Sequence, residues 1–371
     1  MLKFNVGALR PASDAARPEA IAAANDLVRR TLAQHGLWGD TEGGADMPAA
    51  QGPMGGPMAS QMAELSRLRP MGGGARPAAR APAIPDGASF IGASHAGRTG
   101  ARDYRTYIPA SATEGVAGIV LMLHGCTQNP EDFAIGTGMN AQAEAHRLVV
   151  IYPEQARGAN AQTCWNWFST GDQRRDRGEP DILAGITRKA MAEHGVPPER
   201  VFVAGLSAGA AMAVILGETY PDVFAAVGAH SGLPFGAARD VPSAFAAMGG
   251  DLQHATSVPP AARTRRTIVF HGAADRTVHP ANGAEIARRA GVLPGAQAVE
   301  AVETGAQGGR GYRRTRWCDA DGAVVTEHWA IDGLGHAWSG GDRGGSYADP
   351  AGPDASAEMI RFFLDLPAEG A

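Results

Sequence analysis

Arg200-Val-Phe-Val-Ala-Gly205-Leu-Ser207-Ala-Gly209-Ala-Ala-Met-Ala213 is an apolar, β-prone run that passes straight into an alanine-rich helical run. The turn between them is Gly205-x-Ser207-x-Gly209. Small residues on both sides of a serine let strand and helix approach closely, hold the serine backbone in a strained conformation, and project its Oγ at the C-terminal edge of a sheet. With 50 glycines in 371 residues, a bare G-x-S-x-G arises by accident roughly 0.25 times. The motif gains its meaning from its place between a strand and a helix, and only Ser207 satisfies it.

On both sides of this turn, short β-rich runs alternate with helical stretches. Strands are predicted over 103–108, 118–123, 148–152, 200–204, 223–229, 266–270, 311–317 and 324–331, and helices over 138–146, 181–194, 208–218, 281–290 and 355–364. Such alternation predicts an α/β fold, a mostly parallel central sheet with helices on both faces. The domain is placed at 86–371. Residues 1–85 are rich in Gly, Pro, Ala and Met, the composition of a largely disordered, low-complexity extension. Within them Ile21, Leu27, Val28 and Leu32 recur at helical spacing before Gly36, which predicts one amphipathic helix over 16–35. That helix either docks on the main domain or contacts a granule or polymer surface. Arg67, Arg69, Arg76 and Arg80 are too scattered to form a nucleic-acid arm.

The chain is 44% hydrophobic and 19% charged, with a net charge of −5. It can bury a large core, and it offers no electrostatic footprint for nucleic acid or an anionic bilayer. No run reaches the roughly 18 apolar residues of a membrane span. Cys126, Cys164 and Cys318 lack zinc-site spacing and allow at most one disulfide. Neither a metal nor a cofactor is expected. The first twenty residues contain no apolar signal region, so the expected compartment is cytoplasmic, with an extracellular location as the alternative.

A serine hydroxyl is a poor nucleophile at neutral pH, so a base must take its proton and a carboxylate must orient that base. The elbow resembles that of α/β-hydrolases, in which the chain order is Ser, acid, His, with the acid and the His on loops after later strands. Asp275 follows the run Arg266–Phe270, and His336 follows the last predicted strand in Gly-Leu-Gly-His-Ala-Trp-Ser. Asp332 and Asp342 fit less well, one ending the strand whose loop carries His336 and the other following His336. His124, His230, His271, His279 and His328 lie in or beside strands, or too early. They read as buried, hydrogen-bonded side chains.

Acyl transfer also needs backbone N–H groups aimed at the oxyanion. Ala208, after the serine, supplies one; the strand 118–123 ends in His124-Gly125-Cys126-Thr127, and the Cys126 N–H is the candidate for the other. In a chain only 6% aromatic, Trp165 and Trp167 cluster after the strand 148–152, and Trp338 lies beside His336. They are expected either to line an apolar substrate pocket or to pack in the core.

The blocks LHGCTQNPEDFA, TGMNAQAEAHRLVVIYPEQ, CWNWF, GLSAG, HSGLP and GHAWSGG, in this order, resemble the short-chain-length polyhydroxyalkanoate (PHB) depolymerase family of esterases, whose relatives include feruloyl and acetylxylan esterases. The resemblance spans about residues 95 to 365. It implies an α/β-hydrolase fold, ester hydrolysis through an acyl-enzyme by Ser207, Asp275 and His336, an oxyanion hole at the Cys126 amide, and a Cys126–Cys164 disulfide. A cytosolic protein would keep those thiols reduced. Secreted polymer-degrading members carry a signal peptide and a linked polymer-binding domain, neither of which is visible here, and nothing transfers to residues 1–85.

The expected function is serine hydrolysis of short-chain polyhydroxyalkanoate or its oligomers, so the partner is a small or polymeric ester. A feruloyl or acetylxylan esterase is the alternative. From another class comes a non-catalytic granule- or surface-binding protein with a decayed hydrolase domain, which the intact Ser207, Asp275 and His336 set opposes.

Overall fold

Continuous apolar runs, rather than alternating ones, mark strands covered on both faces. The computed structural model describes residues 81–253, 266–291 and 299–365. The helix expected at 16–35 and nearly all of the 1–85 extension lie outside those residues.

Ten strands form one sheet: Ser89–Gly97 (β1), Gly100–Ile108 (β2), Gly118–Leu123 (β3), Leu148–Pro153 (β4), Val201–Leu206 (β5), Ala226–His230 (β6), Arg266–Gly272 (β7), Val299–Gln307 (β8), Arg310–Cys318 (β9) and Val324–Ile331 (β10). Their spatial order is β1-β2-β4-β3-β5-β6-β7-β10-β9-β8. From β4 to β10 neighbouring strands are parallel, and antiparallel pairs close both edges. This is the α/β-hydrolase fold. Every residue of β3, β4, β5 and β6 is buried.

Successive side chains in each strand point to opposite faces, so the sheet feeds two cores. Ile119, Leu121 and Leu123 of β3 pack with Gly178–His194 (α3, numbered after Pro130–Thr137, α1, and Met139–His146, α2), Ala208–Thr219 (α4), Val241–Met248 (α5) and Ala281–Ala290 (α6). Val120 and Met122 face the other core, with α1, α2 and Ala355–Leu364 (α7). There Phe202 stacks on Phe363 with ring centroids 4.8 Å apart; truncating either ring to alanine would cost about 3–5 kcal/mol.

The parallel register pairs Leu123 with Gly205, Leu206 with His230, His230 with Phe270, and Ile331 with Gly272. The C-terminal ends of β3, β5, β6, β7 and β10 therefore share one edge, and the loops that carry Cys126, Ser207, Asp275 and His336 all leave from it.

Among the ten strands and seven helices just named, four escape the sequence pattern. β1 contains interspersed Gly and Ala, and β8 interspersed Gly, Ala and Glu; they are strands because they pair antiparallel with β2 and β9. Gly308 and Gly309, both at positive φ, make the tight turn that a two-residue hairpin requires. Helices α1 and α5 are short and start on side-chain caps, Asn129 accepting from Asp132 N–H and Asp240 from Ser243 N–H.

Candidate active site

The turn between β5 and α4 holds Ser207 at φ 57° and ψ −120°, a conformation a non-glycine residue adopts only when its surroundings impose it. Its N–H donates to His230 O at 2.9 Å. The flanking glycines are sterically required: a Cβ on Gly205 would lie 2.4 Å from Gly209 C, and one on Gly209 would lie 2.0 Å from Leu123 O. Ser207 sits at the N-terminus of α4, where the helix dipole favours negative charge.

Asp275 follows β7 with its carboxylate fully buried. Its Oδ1 accepts the Thr277 and Val278 N–H groups, both at 2.9 Å, and its Oδ2 accepts His336 Nδ1–H at 2.8 Å. Burial works against ionisation, but the His336 hydrogen bond, the neighbouring imidazoles of His336 and His271 and the Val278 N–H outweigh it and hold the carboxyl at about 2. The loops of acid and base are tied by Ala273 N–H to Ile331 O at 2.8 Å and Ala274 N–H to Leu334 O at 3.0 Å. With Nδ1–H donated to Asp275, Nε2 of His336 is left as the accepting nitrogen. Among the described residues no hydrogen bond joins it to Ser207 Oγ; catalytic bonds of this kind often close only around substrate.

His230 connects the two halves of the site, a role its sequence position did not disclose. Its carbonyl holds Ser207 N–H, and its ring Nε2 accepts Ser339 N–H at 3.0 Å from the His336 loop. The imidazole is fully buried and stacks on Trp338 at 5.1 Å and Phe270 at 5.8 Å. Burial pulls it down to about 3, so it stays neutral and keeps its acceptor.

The N–H groups of Cys126 and Ala208 have no hydrogen-bond acceptor among the described residues, whereas the neighbouring Thr127 N–H is taken by Gln162 O at 2.9 Å and Thr163 Oγ1 at 3.1 Å. Unpaired backbone donors beside a strained serine are the parts of an oxyanion hole. His124, held neutral by burial at about 4, donates from Nδ1 to Gly125 O at 2.8 Å and accepts Gln155 N–H at 3.1 Å. Cys126 and Cys164 form the disulfide that the family resemblance implied. Behind it Glu179 is buried and accepts Asn166 N–H at 2.7 Å, Asn166 Nδ2 at 2.8 Å, Arg102 Nη2 at 3.1 Å and the Gln155 amide. As an acidic residue in a helix's first turn, Glu179 carries no sequence signal of this role.

Several expectations need correction. Trp165, Trp167 and Trp338 do not line an open pocket; they are 0%, 6% and 1% exposed. Trp165 donates from Nε1 to His124 O at 3.1 Å and Trp338 to Ser356 Oγ at 3.2 Å, so their rings support the catalytic loops from inside. His124, His230 and His271 are buried as expected, but His279 is exposed and receives Ala281 N–H at 3.2 Å. Asp332 and Asp342 are exposed.

Residues 102–308 match the family model described as Esterase PHB depolymerase. Poly(3-hydroxyalkanoate) depolymerase C of Paucimonas lemoignei is 33% identical over 230 residues, 59% of this chain and 55% of that protein. Poly(3-hydroxybutyrate) depolymerase of Ralstonia pickettii is 28% identical over 256 residues, 64% of this chain and 52% of that protein. The chain thus spans about half the length of these relatives. Acetylxylan esterase A of Aspergillus oryzae is 29% identical over 204 residues, half of this chain and 65% of that one. Among solved structures, the acetyl xylan esterase from Aspergillus awamori shares the fold, with a TM-score of 0.52 and 20% identity over 71% of this chain and 94% of that one. No helix among the described residues is long and apolar enough to cross a membrane.

Proposed function

The chain belongs to the Esterase PHB depolymerase family, and on that premise we propose that it is a serine carboxylic-ester hydrolase acting through an acyl-enzyme. The observation that carries this reading is a strained Ser207 flanked by the Cys126 and Ala208 N–H groups, unpaired among the described residues, on the sheet edge that also holds the Asp275–His336 pair. His336 Nε2 takes the proton of Ser207 Oγ as the oxygen attacks the ester carbonyl, and the two N–H groups receive the oxyanion. His336 then passes its proton to the departing alkoxide, and a water activated by the same nitrogen releases the acid. Asp275 fixes the tautomer and stabilises the imidazolium.

The substrate we favour is short-chain polyhydroxyalkanoate or its oligomers, supported by 33% identity to a poly(3-hydroxyalkanoate) depolymerase. Removal of acetyl or feruloyl groups from plant polysaccharide is the second reading, supported by 29% identity to an acetylxylan esterase. The Cys126–Cys164 bridge favours an oxidising, extracellular setting over the cytoplasm. Contact with a granule or polymer through residues 16–35 belongs to the same proposal. The deciding experiment compares hydroxybutyrate trimer, acetylated xylan and methyl ferulate as substrates of the wild type and Ser207→Ala. Preference for the trimer, lost in the variant, supports the first reading; full activity in Ser207→Ala would refute the serine mechanism.

A further inference from the structure

Two non-glycine residues with left-handed backbone meet across the site. Thr127, at φ 67°, directly follows the Cys126 N–H, and Tyr347, at φ 51°, lies on the loop beyond His336. A β-branched and an aromatic residue are both disfavoured there, and such strain persists only where the surroundings over-determine it. For Tyr347 they do. Its carbonyl accepts Trp338 N–H at 2.7 Å, and the preceding Ser346 donates its N–H to Asp132 Oδ1 at 2.9 Å. Gln128 ties this loop to the oxyanion strand: its Nε2 donates to Ser346 O at 3.0 Å and its Oε1 accepts Gly125 N–H at 2.9 Å.

The side chain so positioned spans the base and the oxyanion hole. Its ring stands edge-on to His336, centroids 6.3 Å apart at 79°, and its hydroxyl lies 3.4 Å from Thr127 Oγ1. That separation is at the long limit of a hydrogen bond. Thr127 is exposed and Tyr347 half-buried, so both hydroxyls keep capacity for a stronger partner.

We propose that the Tyr347 hydroxyl, steadied by Thr127, determines specificity on the alcohol side of the ester by donating a hydrogen bond to an oxygen carried by the leaving alcohol. The inference rests on the esterase reading above. His336 must hand its proton to the departing alkoxide, so the alcohol portion leaves past the imidazole against which Tyr347 packs. In a hydroxyalkanoate oligomer that alcohol bears a carbonyl oxygen a few bonds away, and in an acylated polysaccharide it bears a neighbouring hydroxyl. Ethanol bears neither.

The test measures kcat/KM on hydroxybutyrate trimer, acetylated xylo-oligosaccharide and ethyl butyrate. In Tyr347→Phe, which keeps the ring, the ratio of an oxygen-bearing substrate to ethyl butyrate should fall roughly five- to ten-fold, the worth of one hydrogen bond. Thr127→Val should shift the same ratio in the same direction by less. A fall confined to the trimer assigns a carbonyl partner, and one confined to the oligosaccharide assigns a hydroxyl. Ratios within about two-fold of wild type, the low end of one hydrogen bond, or an equal loss on all three substrates, would overturn the proposal while leaving the esterase reading intact. Undiminished hydrolysis of ethyl butyrate by Ser207→Ala would instead overturn the serine mechanism on which the inference rests, and no ethyl butyrate hydrolysis by the wild type would overturn the esterase reading.

Discussion

Cys164→Ser opens the bridge to Cys126 without altering the Cys126 N–H that the oxyanion needs. The bridge joins residues separated by 38 positions. For a loop of that size the chain-entropy relation gives about 13 cal/mol/K of denatured-state freedom restored on opening, or about 4 kcal/mol at 25 °C. The folded loops remain joined by Thr127 N–H to Gln162 O at 2.9 Å and to Thr163 Oγ1 at 3.1 Å, and by Trp165 Nε1–H to His124 O at 3.1 Å. The loss therefore falls chiefly on the unfolded state. Urea unfolding followed by tryptophan fluorescence should show a midpoint lower by about 2 M, taking a slope of about 2 kcal/mol/M. Wild type in dithiothreitol should move toward the same value. Turnover of p-nitrophenyl butyrate by the folded variant should stay within about ten-fold of wild type, because the donor remains on the backbone. A midpoint within about 0.3 M of wild type that ignores dithiothreitol would refute the reasoning, since that is far below the stabilisation a closed loop of this length confers.

Asp275→Asn should lower kcat on the order of 10⁴-fold, because an amide no longer holds the His336 tautomer; a loss under about ten-fold in ester turnover would remove Asp275 from the triad. Acid should destabilise the fold before it touches the Asp275 carboxyl. Burial lowers His124 to about 4, His230 to about 3 and His328 to about 4, against about 6.5 in the unfolded chain. The unfolded state then binds more protons between these values, and stability complete above pH 6.5 is lost as pH falls toward 4. Glu179, raised mainly by burial and next by Asp172, acts in the opposite sense and offsets part of that loss. Urea midpoints that stay flat from pH 7 to 5 would contradict this, and His328→Leu should reduce the slope. Gly209→Ala drives a Cβ to 2.0 Å from Leu123 O, a backbone atom that cannot yield, and should cost more than about 4 kcal/mol. A urea-derived stability within about 1 kcal/mol of wild type would contradict that packing argument.

The nucleophile turn was legible because its requirements are local: an apolar run, two residues without Cβ and a following helix occupy adjacent positions, and steric closeness at Gly205 and Gly209 leaves few alternatives. The parallel strands were legible for a related reason, since burial on both faces demands uninterrupted apolar runs. The assignment of Ser207, Asp275 and His336 came from the chain order that accompanies such an elbow in α/β-hydrolases, while the parallel strands send every functional loop to one edge. The edge strands β1 and β8 were hidden because their partners, not their own side chains, make them strands. The three tryptophans stand beside catalytic loops in the sequence, yet all are buried, and the indole N–H groups of Trp165 and Trp338 meet His124 O and Ser356 Oγ in the interior. His230, Gln128, Glu179 and Tyr347 belong to the same class. Each acts by joining two loops, and which loops become neighbours is decided by the sheet order β4-β3-β5-β6-β7-β10. Local sequence thus determined the chemistry available at the site. Only tertiary structure decided what holds it in place, because hydrogen bonding and burial between distant segments exist only once the sheet has brought their ends together.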